Sequence, residues 1–309
     1  MPTTETYCPY DVTPLLACVG GTEHMVATEF GRLRCVTSGL AAPIGGDRGT
    51  VFVHGVHDDM DSWSPLVEAA ARQAVDLGPT LFVDLPGFGR SQNRRGRLDL
   101  TEVGDMLMQV ANDTGLESVR LVGHSMGTLV VADMAVRHAA RVESLHLAAG
   151  PYYSVVETMN GHPSGGYAGG LAAAAFGSQY LLALTAGVGV ATVRMASRRR
   201  LLRPLLAPYA AHPNDLPESV VDHLVSGMRP RSFRAAARNG FNYRDGMSWS
   251  KVACPVWAVY GMADRLVPAV DAQRLQADIP SARITHVPDA SHLVHVEQPA
   301  AALVGLGLT

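Results

Sequence analysis

Lysine and cysteine are both scarce in this 309-residue chain. Lys251 is the single lysine among 25 basic residues, which we attribute to the coding bias of a GC-rich genome rather than to function. The four cysteines show no Cys-x-x-Cys spacing, so the usual pattern of a structural zinc site or a dithiol redox site is missing. We expect free thiols in a reducing compartment, with a Cys8–Cys18 disulfide as the alternative.

A strong net charge and a targeting segment are also absent. The formal net charge is −3 and the isoelectric point is about 6.4, so no surface for nucleic acid or another polyanion is indicated. The first residues, MPTTE, have neither the basic region nor the apolar region of a secretion signal. We therefore expect a cytoplasmic protein that does not bind nucleic acid.

The motif that organises the chain is Gly-His-Ser-Met-Gly at residues 123–127. An apolar, β-branched stretch precedes it at 117–122, and a helix-forming stretch follows it at 129–136. A strand, a Gly-x-Ser-x-Gly turn and a helix in this order are typical of a nucleophile elbow, whose glycines leave room for a tight turn. The motif predicts that Ser125 projects at the top of a sheet, where the first N–H groups of the helix face whatever it attacks.

Apolar strands alternate with helices on both sides of this motif. We predict a hairpin within 25–38 and buried strands at 50–53, 80–83, 117–122, 142–147, 255–260 and 283–287. Because 47% of the residues are hydrophobic, the chain can bury a large core. The pattern predicts an α/β fold with a mostly parallel eight-stranded sheet and helices on both faces.

This alternation stops between residues 151 and 247. Residues 164–193 carry no formal charge and are long enough for a membrane span, but their seven glycines favour packed helices. We therefore predict no membrane span, a helical cap at 151–247, a core at 25–150 and 248–309, and an N-terminal arm at 1–24. Two interpretations stay open for the arginines of the insertion, a solvated helix face and a rim that meets an anion. These arginines are Arg194, Arg198, Arg199, Arg200, Arg203, Arg231, Arg234 and Arg238.

Residues 54–63, with the sequence HGVHDDMDSW, have two interpretations. Their histidines and aspartates suggest a metal cluster, but the His-x-His-x-Asp-His pattern of dinuclear zinc hydrolases is missing. A buried strand that ends in His54 and Gly55 indicates instead an oxyanion loop, in which the backbone N–H of Val56 is free to donate. The sequence therefore predicts neither a metal nor a cofactor.

A serine hydroxyl needs a base, and the base needs a residue that orients it. Asp264 and His292 each follow a predicted strand at its carboxyl end, where parallel sheets carry their chemistry. The order Ser125, Asp264, His292 along the chain is the order that accompanies a nucleophile elbow. The rivals that we set aside are Asp84 as the acid and, as the base, His124, His146, His286 and His295.

Four motifs together resemble the α/β-hydrolase superfamily, in the branch of small esterases, lactonases, cofactor-free haloperoxidases, C–C bond hydrolases and epoxide hydrolases. The motifs are His54-Gly55 with Trp63, the segment DLPGFGRS at 84–91, the elbow at 123–127, and residues 261–268 with His292 and 297–299. The resemblance implies that the backbone N–H groups of Val56 and Met126 form an oxyanion hole and that 151–247 is a cap. Two positions depart from the family. Ser291 stands where the family has glycine, and Ser125 stands where epoxide hydrolases and dehalogenases have aspartate, which argues against both of those activities.

These residues predict a serine hydrolase that cleaves a small, largely apolar ester, lactone, thioester or activated carbonyl substrate through an acyl-enzyme. Ser125 is the expected nucleophile, His292 the base and Asp264 the residue that orients the base. Two alternatives stay open because the fold does not determine the reaction. One is a non-hydrolytic member of the fold, such as a ligand-binding protein or a cyclase or lyase, and the other is a C–C bond hydrolase with the same triad.

Overall fold

The computed structural model describes residues 6–40, 47–159, 203–242 and 248–309, together with Gly177. Within these ranges, eight strands form one sheet in the order β1-β2-β4-β3-β5-β6-β7-β8. The pairs β1–β2 and β2–β4 are antiparallel, and every other neighbouring pair is parallel. The strands are β1 (Thr22–Thr28), β2 (Gly31–Ser38), β3 (Asp47–Val53), β4 (Thr80–Val83), β5 (Leu116–His124), β6 (Val142–Ala148), β7 (Val256–Gly261) and β8 (Arg283–Val287). The predicted mostly parallel eight-stranded sheet is confirmed.

Helices connect the strands and cover the sheet. Those described are α1 (Leu15–Val19), α2 (Ser64–Arg72), α3 (Leu100–Asp113), α4 (Met126–Arg137), α5 (Ser154–Met159), α6 (Glu218–Ser226), α7 (Pro230–Asn242), α8 (Ala269–Asp278), α9 (Val294–Glu297) and α10 (Pro299–Gly305). Short 3-10 turns lie at Met60–Trp63, Arg203–Leu206 and Trp249–Lys251.

Alternate residues of the central strands face opposite sides of the sheet. In β5, Leu121 packs into a buried cluster with side chains of α3 and α4, whereas Val122 packs into a second cluster with side chains of α2 and α10. Because both faces are covered, both sets of strand residues must be apolar. This double burial explains why the strands appear in the sequence as continuous apolar runs rather than as alternating patterns.

The N-terminal residues from 6 onward pack against the core. The Cys8 N–H donates to the carbonyl of Glu297 at 2.8 Å, the Thr13 N–H donates to Ser64 Oγ at 3.0 Å, and the Leu15 side chain is fully buried. Cys8 and Cys18 are both free thiols, so the alternative disulfide is not formed. The arm therefore connects α2 to the C-terminal part of the chain.

The insertion between β6 and β7 includes α5, the turn at Arg203–Leu206, α6 and α7. The uncharged run at 164–193 lies outside the described residues, apart from Gly177. In the part of the chain that the structure describes, no helix combines the length and apolar character needed to cross a membrane. Ser232 Oγ of α7 donates to the carbonyl of Gly87 at 2.6 Å, in the loop that follows β4. The described part of the insertion therefore contacts the carboxyl edge of the sheet.

Candidate active site

Ser125 lies in a strained turn between β5 and α4. Its φ of 49° and ψ of −122° lie in a region that costs energy for any residue with a side chain. A Cβ on Gly123 would lie 2.7 Å from the carbonyl oxygen of Gly127, and a Cβ on Gly127 would lie 2.6 Å from that of His54. The backbone would have to move to accept either side chain, so the tight turn predicted from the sequence depends on both glycines.

His292 connects Ser125 to Asp264. Its Nε2 lies 2.9 Å from Ser125 Oγ, and its Nδ1 lies 3.0 Å from Asp264 Oδ2. Because a carboxylate only accepts, Nδ1–H donates to Asp264, which leaves Nε2 to accept the hydroxyl proton of Ser125. The structure thus brings together the three side chains that the sequence places in separate motifs. Such a row can take the proton from a hydroxyl during nucleophilic attack.

The Asp264 carboxylate is held in one orientation by its own loop. Its Oδ1 accepts the backbone N–H groups of Leu266 at 2.8 Å and Val267 at 3.0 Å, so Oδ2 is left for the histidine. The Asp264 side chain is only 1% exposed. Ser291 Oγ donates to the carbonyl of Ala263 at 3.2 Å. The serine that departs from the family pattern therefore connects the loop of His292 to the loop of Asp264.

Glu297 holds the loop after β8, which carries the base. Its Oε1 accepts the N–H groups of Ser291 at 2.9 Å and Leu293 at 3.1 Å. Its Oε2 accepts the N–H of Ala211 at 2.7 Å and the hydroxyl of Tyr7 at 3.0 Å. Burial raises the pKa of Glu297 to about 7, and the donors oppose that rise. One carboxylate therefore connects the base loop, the insertion and the N-terminal arm.

The loop after β3 passes beside Ser125, and a Cβ on Gly55 would lie 2.9 Å from Ser125 Cβ. The N–H of Leu85 donates to His54 Nε2 at 2.9 Å, so the ring proton is on Nδ1, which donates to the carbonyl of Gly55 at 2.7 Å. The C=O and N–H of one planar trans peptide point in opposite directions. Holding the Gly55 carbonyl therefore turns the N–H of Val56 away from the His54 ring.

Met126 supplies the second predicted oxyanion donor. It is the first residue of α4, where backbone N–H groups have no partner within the helix. Among the residues that the structure describes, no protein acceptor takes the N–H of Met126 or that of Val56. Both predicted donors are therefore free for an anion that forms beside Ser125.

The rival residues hold other parts of the protein. Asp84 accepts the N–H groups of Met60 at 3.0 Å and Arg90 at 2.8 Å, and burial raises the pKa of this carboxyl group. His146 stacks against Trp257 inside the sheet region, and His286 is exposed on β8. None of these side chains contacts the row formed by Ser125, His292 and Asp264.

A second polar group, formed by Asp58, His124 and His295, lies next to the base, and sequence reasoning missed it. His124 Nε2–H donates to the carbonyl of His292 at 3.0 Å, and its Nδ1 lies 3.8 Å from Asp58 Oδ2. His223 of α6 approaches the other oxygen, with its Nε2 2.7 Å from Asp58 Oδ1. Burial disfavours the charged form of His223, yet the Asp58 carboxylate raises its pKa to about 9. The one local signal was the second histidine three residues after the base.

His57 connects the loop of Val56 to the insertion. Its ring stacks on Phe233 of α7 with centroids 4.7 Å apart, and its Nδ1 accepts the N–H of Arg229 at 3.2 Å. Burial, with the nearby Arg229 charge, lowers the pKa of His57 to about 4. The ring is therefore neutral at pH 7 and acts here as a packing and acceptor group.

Arg203 fits neither interpretation proposed for the insertion's arginines. Its side chain is buried, and its Nη1 donates to the carbonyls of Asn214 and Leu216 at 2.7 Å. Arg203 therefore ties together the segment before α6, and its Nη2 also donates to the Glu218 carboxylate at 2.9 Å, so it belongs to the packing of the insertion rather than to a solvated helix face. Arg231 is exposed and Arg234 is half-buried on α7. Arg194, Arg198, Arg199, Arg200 and the side chain of Arg238 lie outside the described residues.

The chain is similar to known proteins over most of its length. A family model described as "Alpha/beta hydrolase family" matches residues 50–306. The chain is 27% identical over 266 residues to the dihydrolipoyllysine-residue acetyltransferase component of the acetoin cleaving system of Pseudomonas putida. That match covers 82% of this chain but only 61% of the length of the Pseudomonas protein. The chain is 25% identical over 275 residues to a 2-hydroxy-6-oxononadienedioate/2-hydroxy-6-oxononatrienedioate hydrolase of Cupriavidus pinatubonensis, with 83% and 82% of the two chains covered.

The fold also matches solved structures. A thermophilic esterase from Thermogutta terrifontis superposes with a TM-score of 0.62 at 21% sequence identity. The superposition covers 90% of this chain and 93% of the esterase. At this level of identity the likeness is one of fold.

Proposed function

This chain belongs to the alpha/beta hydrolase family, and from that premise we propose that it is a serine hydrolase with Ser125, His292 and Asp264 as its catalytic triad. The observation that carries the proposal is the row of hydrogen bonds of 2.9 Å and 3.0 Å from the serine through the histidine to the aspartate. We propose further that residues 151–247 form a cap over a core made of residues 25–150 and 248–309.

In the proposed mechanism His292 Nε2 takes the proton of Ser125 Oγ while that oxygen attacks a carbonyl carbon. Asp264 keeps the proton on Nδ1 and stabilises the imidazolium that forms. The negative charge on the carbonyl oxygen is met by the N–H groups of Val56 and Met126, and losing one such donor typically costs about 2.7–4 kcal/mol. His292 then gives its proton to the leaving group, and water attacks the acyl-enzyme with the same base.

We propose a small, largely apolar ester, lactone, thioester or activated carbonyl compound as the substrate. The support is that buried apolar residues lie close to the nucleophile and the acid in the chain: Met126 directly follows Ser125, and Leu266 and Val267 come after the exposed Arg265 that follows Asp264. They belong to one buried hydrophobic cluster that also includes Tyr152 of the insertion and Trp249, which lies between the insertion and β7. An apolar wall with few convergent polar groups suits an uncharged substrate and keeps water scarce around the oxyanion.

A fluorophosphonate probe tests the nucleophile directly. We expect one adduct per chain on Ser125, together with hydrolysis of a panel of p-nitrophenyl esters, thioesters and lactones. Ser125→Ala is expected to lose the adduct and to lower kcat/KM by more than about 10³-fold, with folding intact. The matched control is Ser118→Ala at the other end of β5, where Ser118 Oγ donates to Glu143 at 2.7 Å. Labelling at another residue, or activity of Ser125→Ala within tenfold of the parent, would remove Ser125 from the mechanism.

The Cupriavidus relative favours a second candidate, C–C bond hydrolysis. That protein is named as a hydrolase of 2-hydroxy-6-oxononadienedioate, and its match covers most of both chains. The same three residues would then act on a ketone carbonyl beside the C–C bond that breaks. Comparing kcat/KM for this dienedioate with kcat/KM for p-nitrophenyl butyrate separates the two candidates. Labelling by the probe without turnover of either compound would favour the non-hydrolytic alternative.

A further inference from the structure

Three buried side chains beside the Trp63 ring hold unpaired polar atoms close together, and we call the space between these atoms the gap. The atoms are Asp58 Oδ2, His124 Nδ1 and both ring nitrogens of His295, and none has a hydrogen-bond partner among the described residues. All three side chains are buried, His295 completely. Buried polar atoms are nearly always paired, and an unpaired one costs free energy. One of these atoms from each of the three side chains lies within 4.8 Å of the other two, which indicates that a further group belongs between them.

The donors and acceptors around the gap indicate the charge of that group. His124 Nε2 faces the carbonyl of His292, which can only accept, so this nitrogen holds the ring proton. The Nδ1 of a neutral His124 ring then presents a lone pair, 3.8 Å from the acceptor Asp58 Oδ2. A neutral His295 ring presents another lone pair to the same gap. A cation satisfies three such lone pairs at once.

We propose that Asp58, His124 and His295 form a binding site for a divalent transition-metal ion of the zinc type. Two imidazole nitrogens and one carboxylate oxygen are a donor set that zinc uses. The three ligand atoms lie within 4.8 Å of one another, so a point about 2.8 Å or less from each of them exists. Inward movements of about 0.7 Å bring the ligands to the 2.0–2.1 Å of zinc–nitrogen bonds. In the part of the chain that the structure describes, no other three His, Cys, Asp or Glu side chains converge in this way.

In two of the proposed ligands, the polar atom that faces away from the gap makes a hydrogen bond of the kind common in metal sites. A histidine that binds a metal through one nitrogen commonly donates the other N–H to a backbone carbonyl, as His124 does to His292. Asp58 Oδ1, the oxygen that faces away from the gap, accepts the N–H of Asp59 at 2.9 Å and lies 2.7 Å from His223 Nε2. His124 and Asp58 are therefore already oriented with their free atoms toward the gap.

The surface between the N-terminal arm and α6 is the nearest described cavity from which an ion could reach the gap. A cavity of about 320 Å³ opens there, and Asp61, Asp222 and His223 are among its lining residues. His223 also contacts Asp58, so its ring separates the cavity from the proposed site. In the proposed entry path the aspartates would attract a cation into the cavity, and a rotation of the His223 side chain would admit it. Of residues 54–63, where the sequence predicts no metal, only Asp58 is a ligand; the other two come from the elbow and from α9.

The test uses the untagged full-length chain, stripped with a chelator and titrated with Zn²⁺ and separately with Co²⁺. We expect one Zn²⁺ per chain by metal analysis after gel filtration, a rise in the melting temperature, and visible Co²⁺ absorption bands of a low-coordinate nitrogen and oxygen site. His295→Gln and Asp58→Asn are expected to weaken Zn²⁺ binding by about 100-fold or more. The matched control is His138→Gln, which removes a surface histidine 2.8 Å from Asp105 and leaves binding unchanged.

Three outcomes would overturn the proposal. The first is an unsubstituted chain that holds no stoichiometric Zn²⁺ and shows no change in melting temperature, because the gap then holds a buried water. The second is equal Zn²⁺ affinity in His295→Gln and the parent, because other histidines then hold the ion. The third is loss of binding in His138→Gln alone. The titration of the unsubstituted chain decides the first outcome even if a variant fails to fold, and no readout depends on hydrolysis.

Discussion

At the scale of single residues, the proposed mechanism depends on which nitrogen of His292 holds the ring proton. Asp264 determines this with Oδ2, while its Oδ1 is occupied by the N–H groups of Leu266 and Val267. The carboxylate therefore cannot turn to present a different atom. The proton stays on Nδ1, and Nε2 faces the Ser125 hydroxyl as an acceptor.

Asp264→Asn tests this arrangement. The amide oxygen can keep the two backbone contacts, but the amide NH₂ then faces His292 Nδ1 and forces the ring proton onto Nε2. We expect kcat for the best ester to fall by about 10⁴-fold, with the free energy of unfolding in urea changed by less than about 1 kcal/mol. A loss of less than tenfold at unchanged stability would mean that another group orients the base.

His292→Ala and His295→Ala separate the two neighbouring histidines. We expect His292→Ala to be as inactive as Ser125→Ala, because members of a triad act as a unit. His295→Ala is expected to lose less than about tenfold in kcat/KM, because its ring nitrogens bond none of the three side chains. Steady-state kinetics on the same ester decide the matter. If the His295 variant is the inactive one, the base is misassigned.

At the scale of elements, the base loop is held from distant parts of the chain. Glu297 of α9 receives N–H groups from both sides of the base and from Ala211, and the hydroxyl of Tyr7. The N–H of Leu293 also lies 3.3 Å from the carbonyl of Tyr209. The position of the loop thus depends on the insertion and on the N-terminal arm as well as on β8.

Glu297→Gln is expected to disturb the base loop, because its NH₂ group must face N–H donors. We predict that kcat falls by about 10- to 100-fold and that the free energy of unfolding falls by about 1–3 kcal/mol. Tyr7→Phe is the milder control, because it removes one donor to Glu297 and leaves both contacts of Glu297 with the base loop. We expect it to lower the free energy of unfolding by about 1 kcal/mol and to leave kcat within about threefold of the parent. Equal kcat in Glu297→Gln and the parent would show that β8 alone positions the loop.

The sequence predicts those parts of the site that depend on local geometry. Gly123 and Gly127 are recognisable because a tight turn excludes a Cβ at both positions, and the chain order of Ser125, Asp264 and His292 follows from the strand order. The hydrogen bonds to Glu297 and the polar group around Asp58 form where loops far apart in the chain meet. No spacing along the chain encodes those meetings, so they could not be predicted. Arg203 illustrates the same limit, since a charged residue in an arginine-rich run is buried by carbonyls that only the fold brings to it.

At the scale of the whole molecule, the Asp58–His223 pair joins the core to the insertion. The imidazole of α6 and the carboxylate of the loop after β3 are 2.7 Å apart and largely buried. The pair is stabilising only while His223 is protonated. Its contribution to stability must therefore vary with pH in the range set by that histidine.

We predict that this contribution is fully present below pH 6.5 and is lost as the pH rises toward 9, because the folded pKa of His223 is raised from 6.5 to about 9. The free energy of unfolding of the parent should fall across this range, and His223→Gln should remove most of the slope. Urea unfolding of the chelator-treated, metal-free chain at intervals from pH 6 to 9.5 measures it. The difference between parent and variant cancels other groups, such as Glu297, whose raised pKa of about 7 acts at lower pH. Parallel curves would show that His223 is neutral in the folded protein.

Two hydrogen bonds, from Ala211 to Glu297 and from Leu293 to Tyr209, couple the position of the insertion to the position of the His292 loop. We call this part of the insertion seated when both hydrogen bonds are formed. The loop of His292 then has all of its contacts with the insertion. A compound that binds only the seated form therefore raises the population with the base in place, and a fully held base favours that compound by the same factor. The binding of substrate and the positioning of His292 are then energetically coupled. We therefore expect substrates that do not favour the seated insertion to show a lower kcat as well as weaker binding.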